Sequence, residues 1–132
     1  MTKNNHYIES IEEVRHFLKQ LHYLLTDKEC QLDIQRRRRN DDPDNSNSTL
    51  NTIIDLNYDS RDIKKVVLSL ILSNYIKTVV DIKRPGSPDY RIFSKPIGKK
   101  NIYIKLKICN LNKIHLMSFH YAVYDINGKP YE

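Results

Sequence analysis

Apolar residues near the start of the chain recur at helical spacing. Val14, Phe17, Leu18, Leu21, Leu24 and Leu25 fall on one face, and Ser10 with Glu13 forms a Ser-x-x-Glu capping box ahead of them. The spacing predicts an amphipathic helix over 11–25, with His16 and His22 on its flanks. A short alternating piece, Cys30, Leu32 and Ile34, reads as an edge strand. Residues 36–49 offer no apolar side chain to bury and hold Pro43 among many turn formers, so a mobile loop is expected there. A short helix over Leu50–Leu56 and a second strong helix over 59–77 follow. Asp59 or Ser60 starts the latter, Asp62 favours its dipole, and Ile63, Val66, Val67, Leu70 and Ile71 form its buried stripe. Lys77 then stands at or just beyond its carboxyl end.

From Val79 the period changes from 3.6 to 2. Val79–Ile82, Tyr90–Lys95, Asn101–Cys109 and Ile114–Tyr124 read as strands, with turns at Arg84–Pro88, Pro96–Lys100 and Asn110–Lys113. The clearest strand sets Ile102, Ile104, Leu106 and Ile108 against Tyr103, Lys105 and Lys107. A single α+β domain is expected over 1–132, with N-terminal helices packed on one face of a small antiparallel meander over 79–124.

The last hairpin permits a register prediction. A loop over Asn110–Lys113 pairs Cys109 with Ile114, so Ile104 faces Phe119 and Leu106 faces Met117 on the core side. On the other side Tyr103 stands across from His120 and Lys105 across from Ser118, at the roughly 4.5–5.5 Å between Cβ atoms of directly opposed residues. The same register puts His115, Met117 and Tyr121 on the core face. A one-residue slip would turn half of these polar groups inward, which constrains the pairing.

Charge sharpens this picture. The 132 residues carry 22 Lys and Arg against 16 Asp and Glu, a net +6, in a chain too short for two cores. Residues 1–60 are net −3, whereas 61–107 hold twelve basic groups against Asp62, Asp81 and Asp89, a net +9. That asymmetry points to a face for a polyanion, nucleic acid before membrane because no basic amphipathic helix is evident; a merely solvated surface explains it too. Arg36, Arg37, Arg38 and Arg39 can contact RNA or a protein partner, or be neutralised by the neighbouring acids, and no catalytic group is assigned to their loop. Cys30 and Cys109 fit neither a metal-ligand spacing nor a disulfide framework. No apolar run approaches the roughly 20 residues of a membrane span, and MTKNNHYIES lacks the apolar stretch of a secretory signal. A reduced, cytoplasmic protein without membrane contact is the expectation.

The candidate chemistry is narrow. There is no His-x-His, no paired carboxylates, no Cys cluster and no Gly-rich phosphate loop, and 3 Gly exclude the dinucleotide folds. Cations with a Tyr and a His, and no metal, suit cleavage of RNA by its own 2′-hydroxyl. That reaction needs a base for the 2′-OH proton, an acid for the leaving 5′-oxygen and cations for the phosphorane-like transition state. Imidazole serves as acid or base at physiological pH, and a tyrosine binds phosphate or stacks on a base. A surface Tyr–His pair with no catalytic role is the alternative.

Four short motifs, in order, carry a resemblance: Ser73-Asn74-Tyr75-Ile76-Lys77, Tyr90-Arg91-Ile92-Phe93-Ser94-Lys95-Pro96, Ile102-Tyr103-Ile104-Lys105-Leu106 and Met117-Ser118-Phe119-His120. Over residues 50–124 their succession resembles the MqsR family of bacterial toxins, mRNA-cleaving members of the RelE-like fold. The resemblance implies a metal-independent endoribonuclease toxin of a type II toxin–antitoxin system, with no cofactor, acting on mRNA and held inactive by a cognate antitoxin. By position it puts the family's active-site lysine on Lys77, its strand tyrosine on Tyr103, a polar site residue on Arg91 and a basic one on His120. The family's best-known member has glutamine at the Arg91 position and lysine at the His120 position; the longer N-terminus and the Arg36–Arg39 loop also depart from its pattern. The roles implied are His120 as chief acid/base group, Tyr103 positioning the scissile phosphate or assisting proton transfer, and Arg91 and Lys77 neutralising charge. Lys95, Lys105 and Lys107 are expected to bind substrate. A monomer is expected when free and a hetero-oligomer with the antitoxin. The competing readings are a non-catalytic nucleic-acid-binding domain and a module that binds an antitoxin or other partner protein.

Overall fold

Helix starts follow the capping chemistry. In the computed structural model, which describes residues 5–38 and 42–132, helix α1 runs Ile11–Thr26; the Ser10 hydroxyl accepts from the Glu13 amide at 3.2 Å while the Ser10 amide donates to Glu13 Oε1 at 3.1 Å. Helix α2 spans Thr49–Leu56, opened by the Ser48 hydroxyl and closed by Asn57 in the left-handed region at φ 55°. Helix α3, Ser60–Leu68, is capped reciprocally by Asp59 and Asp62.

The expected 59–77 helix is cut short at Leu68, and the cause is local. The Ser69 hydroxyl donates back to the Val66 carbonyl at 2.6 Å, a bond that competes with continuation. The Asn74 side chain then accepts from the Ile71 amide at 2.9 Å and folds Leu72–Asn74 into a 3₁₀ turn. Leu70 stays fully buried, but Ile71 is turned out, 58% exposed. Lys77 therefore lies inside a strand and not at a helix end.

Six strands form one open sheet among the described residues: β1 His6–Tyr7, β2 Gln31–Ile34, β3 Tyr75–Val79, β4 Tyr90–Ile97, β5 Lys100–Asn110 and β6 Lys113–Tyr121, in the order β1-β3-β4-β5-β6-β2. All neighbours are antiparallel except β2, the edge strand, which runs parallel to β6. The sheet thus starts at Tyr75, recruits two N-terminal strands to its edges, and ends at Tyr121, so it is more than the expected 79–124 meander. Gly98, at φ 62°, opens the two-residue turn between Ile97 and Lys100.

One face of the sheet carries the core. Ile102, Ile104, Leu106, Ile114, Leu116, Phe119, Tyr75 and Phe93 pack against Val14, Phe17, Leu21 and Leu25 of α1, Ile53 of α2, and Ile63 and Val67 of α3. The architecture is α+β with the helices on this face. Beyond the short reach of β2, α2 covers the edge of β6: the Thr49 and Thr52 hydroxyls accept from the Phe119 and Tyr121 amides at 3.2 and 3.1 Å.

The β5–β6 register holds for half its length. Tyr103 pairs with His120, Ile104 with Phe119 and Lys105 with Ser118. The register then shifts by one residue, and Leu106 meets Leu116, Lys107 meets His115 and Ile108 meets Ile114. Met117 is the extra residue of this β-bulge, opposite nothing. The bulge corrects two placements: His115 faces away from the core, and Met117 is half-buried beside Tyr90 and Lys107. Tyr121 does lie in the core, 8% exposed.

The expected loop over 36–49 has no regular structure before Thr49 where it is described, but it is fastened down from Pro43 onward. Asn51 Nδ2 donates to the carbonyls of Pro43 and Asn45, and Asn47 Nδ2 to those of Tyr121 and Ala122. Arg39 lies outside the described residues.

Candidate active site

The sheet face away from the helices is bordered by the segment after β2, the loop before β4 and the segment after β6. Strand alternation decides what reaches it. Tyr103 and Lys105 project there from β5, and Ser118 and His120 from β6. Lys77 pairs with Ile92 and projects there from β3. These five residues line one cleft of about 530 Å³, together with Arg38, Ile76 and residues 122–127.

Inside it the Tyr103 and His120 rings are stacked, with centroids 5.1 Å apart and planes 17° from parallel. His120 Nδ1 lies 2.9 Å from the Tyr121 carbonyl oxygen. A carbonyl only accepts, so Nδ1 carries a hydrogen, and the neutral ring's lone pair is on Nε2. In that neutral tautomer Nε2 is the nitrogen that can accept a proton. Burial pushes the Tyr103 phenol above its usual pKa, with Arg38 partly opposing, so at neutral pH it is a hydrogen-bond donor. Burial, then the charges of Arg38, Lys77 and Lys83, hold the Lys105 ammonium below the ordinary lysine value, against a counteracting pull from Asp81. Among the residues that line the cleft, the charged ones are Arg38, Lys77, Lys105 and Asp125.

Arg38 is the cleft residue that the sequence reading left without a site role, giving the four arginines only as a candidate RNA or protein contact. Its guanidinium donates to the Ser118 hydroxyl at the floor of the cleft. Five and three residues before it, the chain is pinned to β6: His115 Nδ1 meets Asp33 Oδ2 at 2.8 Å and Nε2 meets Gln35 Oε1 at 3.1 Å. The signal was the basic run itself; what it could not show is that a parallel pairing with β6 carries the run to the cleft.

Three other expected residues lie elsewhere. Arg91 pairs with Leu106 and Thr78, so it projects to the helical side. There its guanidinium grips the buried Glu9 carboxylate, Nε to Oε1 at 2.7 Å and Nη2 to Oε2 at 3.1 Å, and lies 4.6 Å over the Phe17 ring. Burial alone would raise Glu9, but Arg91 and Thr78 outweigh it and hold the carboxyl below its ordinary pKa. A larger groove of about 670 Å³ opens on that side, lined by Glu9, Glu12 and Glu13, a setting that repels phosphate. Lys95 pairs with Ile102 and also leaves the sheet on the helical side. Lys107 shares the face of Lys105, yet its ammonium is sealed against Asp81 at 2.6 Å and lies 4.5 Å from the Tyr90 ring centre.

No protein-family model matches the chain, and neither a curated protein nor a solved structure does. Among the described residues no helix is long and apolar enough to cross a membrane.

Proposed function

We propose that this chain is an endoribonuclease that cleaves mRNA by 2′-hydroxyl attack without a metal ion, a toxin of the MqsR-like, RelE-like kind restrained by an antitoxin. The observation that carries the reading is the stacked Tyr103–His120 pair in a cleft with Lys77, Lys105 and Arg38. His120 Nε2 takes the 2′-OH proton, and general acid–base help of this kind contributes about 10²–10⁴-fold in rate. The neutral Tyr103 phenol donates a hydrogen bond to the scissile phosphate. Lys77 and Arg38 face the charge that builds on its non-bridging oxygens, so Arg38 takes over the part that the resemblance gave to Arg91. Arg91, spent on Glu9 across the sheet, has no part in the reaction.

A defined RNA incubated with purified protein in excess EDTA tests this. The expected products end in a 2′,3′-cyclic phosphate and a 5′-hydroxyl, and His120→Ala or Tyr103→Phe removes cleavage while leaving the circular-dichroism spectrum unchanged. RNA bound in a salt-dependent way but left intact would make the cleft a non-catalytic nucleic-acid interface. Full cleavage by His120→Ala would remove the catalytic reading of the site. Co-expression with the neighbouring gene should rescue cells that do not tolerate the chain alone.

A further inference from the structure

Lys105 and Lys107 stand two residues apart on the same face of β5, and their surroundings differ in kind. Lys107 is 5% exposed and closed off by Asp81, with the Ser87 hydroxyl 3.4 Å away. Its proton is locked in a buried ion pair. Lys105 lines the cleft, packs its ammonium 5.1 Å from the Tyr90 ring centre, and has no ion-pair carboxylate among the described residues. Around it are Arg38, Lys77, Lys83, the Tyr103 phenol and the His120 imidazole; Asp125 is the carboxylate on the cleft wall, and Asp81 acts on it from beyond Lys107. An ammonium crowded by cations and half removed from water gives up its proton more readily than a free lysine.

Position on the sheet completes the argument. Tyr103 and Lys105 are neighbours along one face of β5, and the partners directly across are His120 and Ser118. A phosphodiester held by Tyr103 beside His120 has Lys105 one step further along the strand, about 7 Å of rise on the same face. RNA cleavage needs a proton donor on the side of the leaving 5′-oxygen, opposite the base. We propose that Lys105 is the general acid of the reaction, delivering a proton from its Nζ to the departing 5′-oxygen. The 2′-oxygen forms its bond to phosphorus as the P–O5′ bond breaks; His120 receives the 2′-OH proton, Lys105 ends as a neutral amine, and solvent later restores both. The inference rests on the ribonuclease reading above and assigns a role within it.

A bridging 5′-sulfur substrate separates this role from binding, because a thiolate leaves without a proton. Wild type, Lys105→Arg, Lys105→Met and His120→Ala are each assayed on one defined RNA with a 5′-oxygen or a 5′-sulfur at the cleavage site. Arginine keeps the charge but does not give up a proton. On the oxygen substrate both Lys105 variants should lose at least about 100-fold in rate. On the sulfur substrate Lys105→Arg should return to within about tenfold of wild type, whereas His120→Ala, which lacks the base, should not recover. Loss of equal size on both substrates would make Lys105 a binding or structural residue. An unimpaired Lys105→Arg on the oxygen substrate would likewise overturn the assignment. Failure of the wild type on both substrates would overturn the ribonuclease reading itself, and this role with it.

Discussion

The two ends of the non-helical sheet face are built from the same alternating strands and behave as opposites. At the end that holds Tyr90, the Lys107 ammonium meets Asp81 and the His115 ring meets Asp33, so carboxylates there have partners within the fold. At the other end, Lys77, Lys105 and Arg38 gather around the Tyr103–His120 stack, with Asp125 the carboxylate on the wall. Period-2 patterning makes both ends polar; the segments that flank the strands decide which charges gather at each. The loop before β4 brings Asp81 to one end, and the segment after β2 brings Arg38 to the other.

Substitutions at the matched end should cost stability and spare chemistry. Asp81→Ala leaves the Lys107 ammonium buried and unpaired, with an expected loss of about 3 kcal/mol in urea unfolding. The double change with Lys107→Met should recover most of it, and RNA cleavage by the folded protein should persist throughout. Arg91→Gln makes the same point across the sheet: Glu9 loses its guanidinium, stability should fall by about 2–3 kcal/mol, and the cleavage rate per folded molecule should stay within about threefold of wild type. A drop of the order of 100-fold there would return Arg91 to the site.

The cleft should show the reverse trade. Folding holds the Lys105 pKa below its unfolded value, so the charged form is disfavoured in the native state and stability rises with pH toward the unfolded lysine range. Lys105→Met should therefore raise the unfolding free energy at pH 7 by about 1 kcal/mol while slowing cleavage of ordinary RNA by at least about 100-fold. The smallest expected effect lies far from both ends. His22, on α1, has its Nε2 buried without a hydrogen-bond partner among the described residues, and burial pushes its pKa down against a backbone bond to Leu70. A histidine depressed in the fold contributes stability present above its unfolded pKa of about 6.5 and lost as pH falls through the folded value. Between pH 7 and 5 the urea midpoint should fall, and His22→Leu should flatten that part of the profile.

Much of this was legible in the chain, and the failures share a cause. The capping box at Ser10, the α1 stripe and the pairing of Tyr103 with His120 are local or nearest-neighbour patterns, which periodicity reports directly. The Ile63–Leu70 spacing also reads as an unbroken helix, because a back-bonding serine and an asparagine cap end α3 without disturbing the apolar period. The side on which Arg91 projects was undetermined until β4 found its register with β3 and β5. Met117 reads as one more alternating residue, and the bulge that turns His115 outward exists only in the pairing. Arg38 is the extreme case: it reaches the cleft through β2, whose partner lies some eighty positions later in the chain. Contacts of that sequence separation come from topology, on which local pattern is silent.

The wall formed by residues 122–127 follows every strand in order of synthesis. Beyond it, Tyr131 stacks on Tyr75 and its hydroxyl donates to the Glu9 carbonyl at 2.5 Å, tying the late segment back to the beginning of the fold. As the nascent polypeptide emerges from the ribosome, all six strands are outside the exit tunnel before this wall can close beside the stacked rings. The pocket's full shape is thus withheld until every strand has been made, a delay set by nothing more than the order of the codons.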